Sequence, residues 1–162
     1  MIVADTSALV SLASIDRLEI LLAEFDVYTT ETVVVELRET AAYEDNHAEA
    51  ARAVLDRQAD LAVHGVEEPV ATGRIDAGEG SAVVLAQKLD ANFLITDDLR
   101  ALPELRAVTE TRIAISPIVL RALVDRGVLD IEAARADVER LTTERDWLGA
   151  PIYRRAKQLF EE

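Results

Sequence analysis

The stretch Ile2-Val3-Ala4-Asp5-Thr6-Ser7-Ala8-Leu9 decides the fold class. Three apolar residues are broken at once by three polar ones, and helix-like residues then run from 8 to about 15. That order reads as strand, polar turn, helix. It returns at Phe93-Leu94-Ile95-Thr96-Asp97-Asp98, a buried-strand run that ends on an acidic pair. Strands alternating with helices imply a parallel sheet covered by helices on both faces, so the expected class is α/β.

Working outward, residues 18–24 suit a helix and residues 26–29 a strand. Thr30 stands where a helix N-cap belongs, before Val33-Val34-Val35-Glu36-Leu37. Three valines would suit a strand equally, but Glu31, Glu36 and Arg38 follow no alternation, which favours helix. Residues 47–60 form an alanine-rich surface helix, 61–66 a short strand or loop entry, and 67–78, with Pro69, Gly73 and Gly78, a connection. Asp76-Ala77-Gly78-Glu79 has capping-box spacing and opens a helix that reaches Leu89. Asp97-Asp98 are expected to open another short helix before Pro103, and residues 113–115 to form a last strand.

Ser116 as N-cap, Pro117 in the first turn and Gly127 past the end bracket the next helix. Asp130 caps another, in which Ile131, Ala134, Val138 and Leu141 recur at helical spacing, and a final amphipathic helix carries Ile152, Ala156, Leu159 and Phe160. The expected organisation is an α/β domain over residues 1–115 and a helical extension over 116–162 packed on it. The apolar faces at 118–123 and 152–160 can pack internally or form a homodimer; internal packing is the simpler expectation. Trp147 suits a core anchor for these helices.

Composition narrows the function classes. Half of the 162 residues are apolar, enough for one sizeable core. The absence of cysteine excludes disulfides, zinc-thiolate sites and thiol catalysis. No apolar run approaches the roughly 20 residues of a membrane span, and the N-terminus lacks a signal-peptide pattern, so a cytoplasmic location is expected. The chain carries 31 acidic and 17 basic residues, a net charge of −14, with Lys88 and Lys157 as its two lysines. Such a surface suits a halophilic, salt-rich cytoplasm, where charge repulsion is screened within a few ångströms.

The chemistry rests on carboxylates. Ligand sites in open parallel sheets lie beyond the carboxyl ends of strands, where the strand order reverses, and Asp5 and Asp98 both follow predicted strands. Glu36, on an earlier helix, and Glu79, at a helix mouth, can complete an acidic pocket. Clustered carboxylates raise one another's pKa unless a cation neutralises them, which points to Mg²⁺ or Mn²⁺ on oxygen ligands and to phosphodiester chemistry. Each acid also has an ordinary reading. Glu79 can simply partner Asp76, Asp5 can start a turn, Asp97 or Asp98 can cap a helix, and Glu36 can be one solvated charge among many. Joint placement at strand ends favours the site.

Other chemistries find little support. His47 and His64 lack metal-ligand spacing, Gly78-Glu79-Gly80 is too short for a phosphate loop, and Ser7 lacks a nucleophile-elbow context. Haloacid-type phosphatases need Asp-x-Asp after the first strand, where this chain has Asp5-Thr6-Ser7. Among the arginines, Arg38, Arg52, Arg100 and Arg106 lie on segments near the expected pocket mouth. Of these, Arg38 and Arg100 are the candidate RNA contacts.

The chain resembles the PIN-domain nucleases through four segments in order: Ile2-Val3-Ala4-Asp5-Thr6-Ser7, Val33-Val34-Val35-Glu36-Leu37, Asp76-Ala77-Gly78-Glu79-Gly80-Ser81, and Leu94-Ile95-Thr96-Asp97-Asp98. The tail, with Gly127-Val128-Leu129 and Trp147-Leu148-Gly149-Ala150-Pro151-Ile152, looks like the helical extension of one subgroup. The resemblance implies a three-layer PIN-like fold and a ribonuclease that uses divalent metal to activate water for in-line attack on RNA. It carries over Asp5, Glu36, Glu79 and Asp98 as catalytic metal-site residues, Asp97 as an assisting or substituting ligand, and Ser7 and Thr96 as supporting hydroxyls. It also implies a VapC-type toxin held by a cognate antitoxin. A PIN scaffold with a silent site that binds a protein partner is the alternative.

Overall fold

The computed structural model describes residues 1–70, 72–147 and 149–161; Leu148, inside the tail segment quoted above, lies outside them. Five parallel strands form one sheet: β1 (Ile2–Ala4), β2 (Val27–Thr30), β3 (Ala62–His64), β4 (Phe93–Ile95) and β5 (Arg112–Ala114), in the order β3-β2-β1-β4-β5. The chain builds leftward from β1 through β2 to β3, then crosses back to place β4 on the other side of β1. The order therefore reverses between β1 and β4. Their register pairs Ala4 with Ile95, so Asp5 and Thr96 leave the sheet side by side.

Nine helices among the described residues cover both faces, giving the α/β three-layer PIN-like architecture. They are α1 (Thr6–Ser14), α2 (Leu18–Glu24), α3 (Glu31–Ala41), α4 (Asn46–Asp56), α5 (Ala77–Leu89), α6 (Leu102–Val108), α7 (Ser116–Asp125), α8 (Ile131–Glu144) and α9 (Pro151–Gln158). Strand side chains alternate between the two layers with the period of the pleat. Ile2, Ala4, Val27, Ile95 and Ala114 face one core, while Val3, Tyr28, Leu94 and Ile113 face the other. The second core is closed by α5 and α6, through Val83, Leu85, Ala86 and Leu105.

The first core joins α1–α4 to the three C-terminal helices. Leu9 and Leu12 share it with Leu120, Leu123, Val138, Leu141, Ile152 and Phe160, so the apolar faces of the tail are used inside the molecule. Trp147, 6% exposed, anchors them. Arg17 ties this layer further by donating to Asp137, whose carboxylate is buried on α8.

Several local expectations hold in detail. The triple-valine segment is helical, with the Thr30 hydroxyl accepting from the Val33 N–H. Asp76 and Glu79 make the reciprocal capping box at the head of α5. The surface helix is shorter than expected: α4 starts on an Asp45 side-chain cap and ends at Asp56, followed by a 3₁₀ turn over Gln58–Asp60.

Three expectations are corrected. Asp97 and Asp98 open no helix. α6 instead begins at Leu102 and takes Pro103 into its first turn, where a missing N–H breaks no intrahelical bond. Ser116 is the first helical residue of α7, and its own side chain does not cap the helix; the Asp97 carboxylate reaches across from the end of β4 to do so. Asp130 precedes α8 but makes no side-chain cap.

Candidate active site

Asp5 ends β1 and caps α1. Its Oδ1 accepts from the Ser7 hydroxyl at 2.7 Å and from the Ala8 N–H at 3.0 Å. The side chain is only 2% exposed. Burial pushes its pKa up from 3.8 to about 6, against the pull of hydrogen bonds from Thr96, Ala8 and Ser7, with Asp97 adding repulsion. Ser7 and Thr96, the two expected supporting hydroxyls, join the ends of β1 and β4. Their oxygens are 3.3 Å apart, the Asp97 N–H donates to Ser7 Oγ at 2.9 Å, and the Asp98 N–H donates to Thr96 Oγ1 at 3.3 Å.

Glu36 approaches from α3, where Thr6 donates to its Oε1 at 3.1 Å. Gly78 makes room for it. A Cβ on residue 78 would lie 1.7 Å from Glu36 Oε1, so this carboxylate occupies space that any other residue would fill. Its pKa rises from 4.5 to about 7, chiefly through burial and then through repulsion from Asp76, with smaller effects from Asp5 and Glu39. Glu79 is 6% exposed and folds back so that Oε2 accepts from the Asp76 N–H at 3.2 Å. Burial raises its pKa most, followed by the closeness of the Asp98 carboxylate and repulsion from Asp76 and Asp5.

The acidic pair that follows β4 splits in environment. Asp97, 8% exposed, accepts from the Ser116 N–H and the Ser116 hydroxyl, both at 2.6 Å, one on each carboxylate oxygen. Burial drives its pKa up while those bonds and the charge of Arg145 oppose the rise. Asp98 stands further out, its Oδ1 accepting from the Arg100 N–H at 3.1 Å.

Asp5, Glu36, Glu79, Asp97 and Asp98 all line one open cavity of about 1170 Å³ beyond the carboxyl ends of β1 and β4. Asp76, read in the sequence only as a cap, lines it too and is the main charge acting on Glu36. Of the four arginines placed near the mouth, Arg100 and Arg106 line the cavity and Arg38 and Arg52 do not; Arg52 instead donates to the Ala41 and Tyr43 carbonyls. Arg145, which the sequence reading passed over, lines it from the end of α8. Only tertiary packing brings the tail over the sheet end, so no local pattern marked that residue.

The donor set suits a hard divalent cation: oxygen ligands only, on acids whose pKa values are raised chiefly by burial, with repulsion from neighbouring carboxylates adding to it. Among the described residues, no group of three or more His, Cys, Asp or Glu side chains is gathered tightly enough to hold a metal as it stands. The geometry explains why. Glu79 is engaged by the Asp76 N–H, Asp97 by Ser116, and Glu36 by Thr6. A cation would have to draw Glu79 away from the cap.

A family model for the PIN domain matches residues 1–162, and the chain belongs to that family. PIN domains are typically nucleases that bind nucleic acid and use divalent metal ions. No curated protein and no solved structure gives a match. Among the described residues no helix is long and apolar enough to cross a membrane.

Proposed function

We propose that the chain is a Mg²⁺- or Mn²⁺-dependent endoribonuclease that hydrolyses RNA phosphodiester bonds in the cytoplasm, as the toxin of a VapC-like toxin–antitoxin pair. One observation carries the enzymatic reading: Asp5, Glu36, Glu79 and Asp98 arrive from four separate elements at one cavity, at the point where the strand order reverses. Burial, with repulsion from neighbouring carboxylates, holds Asp5, Glu36 and Glu79 above the ordinary carboxylate range, and a bound cation would favour their charged forms.

In this reading Asp5, Glu36, Glu79 and Asp98 hold the ion, and Asp97 supports from behind because Ser116 occupies both of its oxygens. When bound, the ion supplies Lewis acidity toward a phosphoryl oxygen and acidifies water for attack. Ser7 and Thr96 fix Asp5 and Asp98 against one another by bonding the two strand ends. Glu79, whose pKa burial holds well above the ordinary carboxylate range, would have to lose its proton as the ion binds. Arg100 at the rim is placed to meet the RNA backbone, whereas Arg38 is exposed away from the cavity.

The test is RNA cleavage in molar potassium chloride with Mg²⁺ or Mn²⁺, with and without chelator, for wild type, Asp5→Asn and Glu79→Gln. Chelator-sensitive cleavage lost in both variants is expected. Cleavage that survives both substitutions removes the metal-site assignment. The engagement of Glu79 in its capping box also favours the second reading, a silent scaffold; a protein inactive in every metal yet bound by a small protein partner would decide for it.

A further inference from the structure

Among the described residues of the helical tail, Arg145 is the cation that lines the carboxylate cavity, and its backbone is closely bonded. It caps the C-terminal end of α8, its N–H bonding the Leu141 carbonyl at 2.8 Å. The next residue, Asp146, takes the left-handed conformation at φ 55°, and the Trp147 N–H closes back on the Thr142 carbonyl at 2.9 Å. That six-to-one closure is a Schellman ending, here with aspartate in the position that glycine usually fills. Trp147 then locks the turn into the core, and His47 Nε2 lies 3.1 Å from the carbonyl of Glu144. The backbone that presents Arg145 is thus held from both sides.

The side chain is far less satisfied than its mounting. Its Nε is buried without a hydrogen-bond partner, and among the described residues no carboxylate forms an ion pair with it. Other half-buried arginines find partners: Arg17 bonds the Asp137 carboxylate and Arg121 the Leu159 carbonyl. Asp97 and Asp5 are near enough to act on Arg145 through charge alone. A guanidinium carries five donors in a planar fork that matches two oxygens of a phosphate. Left unpaired in a partly buried wall, such a group costs free energy that a bidentate anion restores.

We propose that Arg145 is a phosphate-binding residue of this site, taking a backbone phosphodiester of single-stranded RNA on its two Nη donors at the cavity wall and holding it over the carboxylates. The assignment rests on the nuclease reading for the identity of the ligand, while the phosphate chemistry stands on the guanidinium itself. It gives the tail a function beyond packing: the extension supplies positive charge that the acidic strand ends lack. An acidic protein of net charge −14 can in this way engage a polyanion through one aimed contact in place of a basic surface.

The experiment follows the Nε–Hε resonance of Arg145 in wild-type protein with Mg²⁺, titrated first with inorganic phosphate and then with a short single-stranded oligoribonucleotide. Arg145→Lys and Arg145→Gln are assayed beside it for RNA affinity, KM, salt dependence and melting temperature. A saturable shift of that resonance is expected. RNA affinity should fall roughly ten- to a hundredfold in Arg145→Gln, and the salt slope of binding should fall by about 0.7, one single-strand phosphate contact. Arg145→Lys should recover the slope but only part of the affinity, since an ammonium restores charge without the fork. A resonance unmoved through both titrations overturns the assignment, whether or not RNA is cleaved. A resonance that shifts in a protein that cleaves no RNA keeps the phosphate site and removes the nuclease reading.

Discussion

Asp97 and Ser116 hold each other through two hydrogen bonds of 2.6 Å, the backbone N–H to one carboxylate oxygen and the hydroxyl to the other. The pair attaches the end of β4 to the start of α7, and so the tail to the sheet. It also occupies both carboxylate oxygens of Asp97, whereas Asp98, the more accessible member of the doublet, is the one the proposed metal site uses. Truncating the two should therefore have opposite consequences. Asp97→Ala leaves the buried Ser116 N–H without an acceptor and is expected to cost about 1–3 kcal/mol. Asp98→Ala, at a half-buried side chain, should stay within about 0.5 kcal/mol of wild type and abolish metal-dependent cleavage. Urea denaturation and RNA cleavage measured on both variants check this; a destabilised Asp98→Ala beside a stable Asp97→Ala would reverse the two roles.

Gly78 and Gly80 are two residues apart on α5, yet alanine at each meets a different obstacle. At residue 80 a Cβ would lie 1.9 Å from the Val70 carbonyl oxygen, a backbone atom that cannot move alone, so Gly80→Ala is expected to destabilise the fold by about 1–3 kcal/mol. At residue 78 the obstacle is the Glu36 carboxylate, the free end of a flexible side chain. Gly78→Ala should keep a near-native melting temperature and displace Glu36, lowering cleavage without touching any acid in the sequence. Thermal melts paired with cleavage rates distinguish the two, and full activity in Gly78→Ala would show that the place of Glu36 beside Gly78 is unimportant.

The parts of this fold that were legible in the sequence are those with local causes. The strand-turn-helix at Asp5, the Thr30 cap and the Asp76–Glu79 box each depend on residues within three or four positions, and spacing reveals them. Asp5 and Asp98 were placed at strand ends by the same means, and the β1–β4 pairing then brought them to one cavity. What stayed hidden depends on distant partners. Nothing near Asp97 announces that Ser116, 19 residues on, will occupy it. Nothing around Arg145 announces the strand-end acids, of which even Asp98 is almost 50 residues away in sequence. Pro103 misled for another reason: a proline ends one helix or starts the next, and only the turn before Leu102 decides between them.

Molar salt should stabilise the protein. Two electrostatic effects oppose each other here. Surface ion pairs such as Arg57–Asp60 and Arg140–Asp16 are weakened by salt, but exposed pairs contribute only about 0–1 kcal/mol each. Repulsion among 31 acidic side chains against 17 basic ones acts over the whole surface and is weakened too, as the screening length falls from about 10 Å at 0.1 M to about 3 Å at 1 M. The repulsion is the larger quantity, so the melting temperature should climb as potassium chloride is raised from dilute buffer to the molar range. Equal stability in both would remove the salt-adapted reading of the composition.

Divalent metal should change the sign of the pH dependence. Asp5 has its folded pKa raised from 3.8 to about 6 and Glu36 from 4.5 to about 7, so the folded protein binds these protons more tightly than the unfolded chain does. Their contribution to stability is fully present below about pH 4 and is lost as pH rises through 6 and 7. For Asp5, buried and therefore little screened, the loss is about 3 kcal/mol by pH 8; Glu36 is more exposed and adds less. Mg²⁺ binds the deprotonated carboxylates and competes with those protons, so its stabilisation should grow over the same interval in which the metal-free protein weakens. Melting temperatures between pH 5 and 8, with chelator and with Mg²⁺, should diverge as pH increases. Asp5→Asn, which cannot ionise, should flatten the metal-free curve and shrink the gap; parallel curves for the wild type would mean that the ion does not bind at these acids.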